Sequence, residues 1–120
     1  MIGRVVALLL SMAVLIAAPQ PEMYPCAPVV WRIAEAITDI ENVRAELNNP
    51  GGLMGKAGLI RYKSRAQGEA AMLRLIARHT QRSPEGLMKR WAPDATIAYG
   101  AIVARRARLQ RNKPIKEQCR

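Results

Sequence analysis

The stretch DIENVRAELNNPGGLMGK, residues 39–56, begins as a helix and ends in a rigid turn. Upstream of it, Val30, Ile33, Ile37 and Ile40 recur at the spacing of one helical face. Projected at about 100° per residue, Glu35 and Asp39 fall on the opposite side, towards water. Glu41 falls instead at the edge of the apolar stripe, beside Val30, Ala34 and Ile37, one turn before the helix is expected to end. Partial desolvation disfavours the charged form of a carboxyl, which is what a general acid requires. The run Asn48-Asn49-Pro50-Gly51-Gly52 cannot prolong the helix, because proline lacks a donor and glycine admits positive φ.

The rest of the chain reads in the same way. Residues 53–62, LMGKAGLIRY, are punctuated by glycine and apolar, and predict a short hairpin or a loop on the core. A second helix is expected over about residues 64–80, with Ala66, Ala70, Leu73 and Ala77 on one face. SPEG opens a third, with Ser83 as N-cap, Pro84 at the first helical position and Glu85 in the first turn, ending near Trp91. Pro93 breaks it. Asp94 is placed to cap a fourth helix whose buried side is marked by Ala95, Ala98, Ile102 and Leu109. The expected class is all-α, about four helices around one core.

The N-terminal residues 1–18 carry a single cation, Arg4, and then an apolar run, the pattern of a signal peptide or of an uncleaved anchor. Residues 19–28 read as a Pro-rich extended linker, 29–112 as the helical domain and 113–120 as a basic tail, loose except at Cys119. Cys26 and Cys119 can close the domain end to end with a disulfide; the alternative is two unrelated thiols. Either form of the leader implies export, to the periplasm or beyond.

The net charge of +10 is densest in RRARLQRNKPIK, residues 105–116. Such a balance favours polyanions. Export argues against nucleic acid and for anionic envelope polymers, with a solvated helix face as the plain alternative. A membrane partner is implied only through the leader, if it is kept. His79 is the only histidine, no His/Cys cluster has metal-ligand spacing, and no metal or cofactor is expected.

Of the acids, Asp94 reads as a cap, Glu85 as a first-turn partner, and Glu22 and Glu69 as exposed. Glu46, just before the turn, is the rival of Glu41. The segments IAEAITDIEN and ELNNPGGLM together resemble the small lysozyme-like, lytic-transglycosylase-type proteins of phages and bacteria, in which a Glu-ended helix precedes an Asn-Asn-Pro-Gly turn. The likeness continues colinearly through YKSRAQGEAAMLRLIARH, SPEGLMKRWAP and ATIAYGAIVARR, from residue 31 to 106. It implies a lysozyme-like helical fold and cleavage of peptidoglycan glycan strands, with Glu41 as the acid and then the base. Asn48, Asn49 and Glu46 would line the saccharide groove, and Trp91 and Tyr99 would stack on sugars or else belong to the core. The chain departs from the pattern at Gly52, where the family has a second Asn, and at Asn42, where Gly is usual.

Overall fold

The computed structural model describes residues 23–119; the leader expected at 1–18 lies outside them. Four α-helices build the described part: α1 (Ala27–Glu41), α2 (Arg65–Ala77), α3 (Pro84–Trp91) and α4 (Tyr99–Ala107). Between α1 and α2 lie a 3-10 turn at Ala45–Leu47 and a two-stranded hairpin, β1 (Met54–Gly55) antiparallel to β2 (Gly58–Leu59). The all-α expectation holds, and of the two readings of residues 53–62, a short hairpin or a loop on the core, the hairpin is the one formed.

Helix α1 is the central element, packed against both α2 and α4. Val29, Val30, Ile33, Ala34, Ala36 and Ile37 are buried, while Glu35 and Asp39 are exposed, as the stripe requires. The helix starts earlier than expected because Pro28 lies in the first turn, where its missing N–H costs no hydrogen bond. Met23 and Cys26 are buried in the core cluster, so residues 23–28 belong to the domain and are not an extended linker. At the other end, Asn42 takes the left-handed conformation at φ 45° and its N–H bonds the Thr38 carbonyl. Asparagine tolerates that region better than most residues. Glu41 is thereby the last helical residue, rather than one turn from the end.

Two helices differ from expectation. In α2 the buried residues are Gly68, Met72, Leu73, Ile76 and Ala77, while Ala66 is exposed. Met72 and Ile76 hold far more apolar surface than the alanines, and their burial orients the helix. In α4, Asp94 caps nothing: it is exposed, and the N-cap position is Ala98, with no side-chain bond. Ala95 and Ala98 are exposed too, and the buried face is Tyr99, Gly100, Val103, Ala104 and Ala107. A Cβ on Gly100 would stand 2.7 Å from the Cα of Glu85, so close packing on α3 overrides the local capping signal. Helix α3 follows its sequence: Ser83 Oγ accepts from Gly86 N at 3.1 Å, Glu85 sits in the first turn, and Lys89 and Arg90 in the last complement the dipole.

The C-terminal segment is anchored, not loose. Ile115 is fully buried in a 3-10 turn (Ile115–Gln118), and the N–H groups of Ile115 and Lys116 bond the carbonyls of Arg82 and Thr80, both at 2.8 Å. Cys119 then forms a disulfide with Cys26, 93 residues away in sequence. In the chain-entropy treatment, a loop of that size restricts the unfolded chain by about 4–5 kcal/mol. Reduction is expected to lower the unfolding free energy by up to about 4 kcal/mol, read as a fall in the urea midpoint; equal midpoints for the oxidised and reduced chains would refute a stabilising crosslink.

Candidate functional site

The turn after α1 is built from within. Asn49 is only 2% exposed. Its Nδ2 donates to the carbonyls of Leu53 and Ile60, both at 2.9 Å, and its Oδ1 accepts from Leu53 N at 2.9 Å. Asn48 has φ 54°, and its Nδ2 donates to the Tyr62 carbonyl at 3.1 Å. The Asn48 carbonyl packs against Gly68 of α2, where any Cβ would collide with it. Both asparagine side chains therefore bond the protein's own backbone. They shape the turn.

Gly51 and Gly52 bring that turn against three helices. Gly51 is buried, and a Cβ there would lie 3.2 Å from both Met72 and Trp91. Trp91 Nε1 donates to the Gly51 carbonyl at 2.9 Å, which ties the end of α3 to the turn. Gly52 has φ +64°, and a Cβ on it would lie 2.7 Å from Glu41 Oε2. The carboxyl of Glu41 thus rests on the glycine's bare backbone. A glycine at position 52 and the placement of Glu41 go together.

The other carboxyl oxygen belongs to Tyr99. The Tyr99 hydroxyl donates to Glu41 Oε1 at 2.6 Å, across 58 residues of sequence. Tyr99 is 6% exposed at the first position of α4. Burial, then the hydrogen bond to Glu41 and that residue's charge, push the phenol well above its usual value. A short bond with a charged acceptor is also among the stronger kinds. Glu41 is half-buried, held between the end of α1, the glycine turn and the start of α4. The Glu41 carboxyl is thus fixed at one oxygen by the Tyr99 hydroxyl, with its second oxygen against the Gly52 backbone.

The remaining predicted site residues are positioned differently. Glu46 is exposed in the 3-10 turn and pairs with Arg44 at 3.2 Å. Glu85 pairs with Arg111, Glu69 with Arg65 and Asp39 with Arg106. Tyr99 is core and meets Glu41 by its hydroxyl, so its ring is no open platform for a sugar. Trp91 is half-buried, with its N–H engaged. No group of three or more His, Cys, Asp or Glu residues among the described residues is placed to hold a metal ion. The Tyr99–Glu41 pairing has no local signal in the sequence, because it is made by helix packing. Comparison with protein families, curated proteins and solved structures finds no match to this chain.

The raised Tyr99 pKa has a consequence for stability at alkaline pH. The phenol is harder to ionise in the folded chain than in the unfolded one, so its contribution is complete below about pH 10 and is lost as the pH rises further. Stability is expected to fall more steeply above that pH in the wild type than in Tyr99→Phe, measured by urea unfolding at a series of pH values. Tyr62, also raised by burial, is common to both chains. Parallel pH profiles would contradict the assigned role of the hydroxyl.

Proposed function

We propose that this chain is an exported, lysozyme-like glycosidase of the lytic-transglycosylase type, cleaving peptidoglycan glycan strands with Glu41 as general acid and then base. The supporting observation is the convergence of Tyr99 and Gly52 on the Glu41 carboxyl, at the helix end and glycine turn that carry the resemblance. Protonated Glu41 would give its proton to the glycosidic oxygen as the C1–O bond breaks. The carboxylate would then take the proton of the same sugar's C6 hydroxyl as that oxygen bonds C1. An anhydro ring closes, the acid is regenerated and no water is consumed. Tyr99 would hold Oε1 throughout. A hydrolysing enzyme usually places a second carboxylate across the scissile bond, and Glu46, the nearest rival by sequence, is paired with Arg44 instead.

The rest of the surface is consistent with a wall substrate. Arg105, Arg108, Lys113 and Lys116 are exposed around the end of α4 and the segment that follows. A net charge of +10 favours retention on anionic envelope polymers. The Cys26–Cys119 disulfide fits an extracellular or otherwise oxidising compartment. Among the described residues no helix is long and apolar enough to cross a membrane. No cofactor enters this chemistry.

A second reading is a non-catalytic, basic wall-binding module. It is favoured by the engaged side chains of Asn48, Asn49 and Trp91, which leave few groups on this turn to hold a sugar. Incubating the oxidised protein with purified peptidoglycan at low salt, beside Glu41→Gln, separates the two. The expected products are fragments ending in 1,6-anhydro sugar, with release falling about a hundredfold or more in the variant. Binding without fragments from wild type would support the module and overturn the enzyme.

A further inference from the structure

The hairpin that follows the glycine turn has two unlike faces. Successive residues of a strand alternate between faces, and residues directly opposite across an antiparallel pair share one. Leu53 and Ile60 are half-buried. The Ile60 N–H donates to the Leu53 carbonyl at 3.0 Å, and Asn49 Nδ2 donates to the carbonyls of both. A Cβ on Gly55 would meet the Ile60 side chain at 3.2 Å, so these positions make the inner face. Met54 and Leu59, paired in register, make the outer one. There Met54 is 66% exposed and Leu59 47%, although the outer face of such a pair is ordinarily polar.

Single exposed apolar side chains are commonplace. Here two stand side by side, and the apolar surface runs on from them. Met54 borders, with Leu53, Leu75 and Trp91, a cavity of about 220 Å³. The charge around this surface has one sign. No Asp or Glu occurs between Leu47 and Gly68. Lys56 in the turn, and Arg61 and Lys63 beyond β2, are exposed. None of the three takes part in the ion pairs of the described residues, whereas the neighbouring cations Arg44 and Arg65 each meet an acid. Exposed apolar side chains among uncompensated cations suit the interface of an anionic bilayer, where apolar burial and attraction to lipid phosphates act together. A neutral glycan would leave both the apolar pair and the cations unmatched.

We propose that the outer face of the hairpin is a docking surface for an anionic phospholipid bilayer. Met54 and Leu59 would enter the boundary between headgroups and acyl chains, with Lys56, Arg61 and Lys63 at the lipid phosphates. This contact is separate from the leader and does not rest on the glycosidase reading. It would hold the glycine turn, and the Glu41 carboxyl lying on Gly52, close to the bilayer surface.

Methionine-methyl NMR of the oxidised full chain tests the contact, with bicelles of equal parts phosphatidylcholine and phosphatidylglycerol carrying a nitroxide lipid. The Met54 signal, identified by its absence in Met54→Leu, is expected to lose most of its intensity. Met72 and Met88, both buried, should keep theirs. In Leu59→Ser and in Lys56→Gln/Lys63→Gln, exposed positions whose change leaves the fold intact, the lipid concentration giving half that loss should rise about fivefold or more. Added salt should raise it in the wild type. A Met54 signal as sharp as those of Met72 and Met88 would overturn the proposal, even with the chain retained on the bicelles, since the contact would then lie at the leader or elsewhere. Equal loss on phosphatidylcholine alone would overturn the anionic lipid, and loss that grows with protein concentration in lipid-free solution would give the face to a second copy of the chain instead.

Discussion

The amide of Asn49 is sealed inside the turn, where it bonds Leu53 twice and Ile60 once. Asn49 is also the buried polar residue of the described core. Removing one partner of a buried hydrogen bond leaves the other unsatisfied, at about 1–3 kcal/mol, so this single side chain holds the turn to both ends of the hairpin. Everything at the candidate site is placed relative to that clamp. With the turn closed, Gly51 comes against Met72 and Trp91, and Gly52 comes against Glu41.

Close approach of backbone is the second recurring device. Gly68 admits the Asn48 carbonyl onto α2, and Gly100 admits Glu85 of α3 onto α4. The first contact sets the turn on the helix layer. The second sets the start of α4, and Tyr99 with it. With both contacts made, the hydroxyl of Tyr99 meets Glu41. The disulfide and buried Ile115 close the opposite end of the domain, where Met23 and Cys26 enter the core.

Much of this was legible from residue patterns, and the limits have physical causes. The stripe of α1 was readable because Val30, Ile33 and Ile37 bury large apolar surfaces at helical spacing. Ser83-Pro84-Glu85 was readable because capping is a local hydrogen-bond problem. On α2, Leu73 and Ala77 are buried as read, while Ala66 is exposed and Ala70 half-buried, because alanine contributes little burial either way and Met72 and Ile76 decide the orientation. Asp94 carried a sound capping signal that tertiary packing at Gly100 overruled. The tail was read as loose from its charge, although Ile115 alone is apolar enough to anchor it. At the site, Glu41 was singled out by its position at the edge of the stripe, and the turn by its proline and glycines. The roles of Asn48 and Asn49 as internal staples, and the Tyr99–Glu41 bond, depend on contacts that no local pattern encodes.

The proposed cleavage requires a glycan lying across the Glu41 carboxyl, and a crystal structure of Glu41→Gln soaked with a peptidoglycan tetrasaccharide tests that directly. The predicted result is a glycosidic oxygen about 2.6–3.2 Å from the side chain at position 41, with the Tyr99 hydroxyl still bonded to that side chain. Saccharide ordered only on the basic surface around Arg105 and Arg108, with none at position 41, would contradict it.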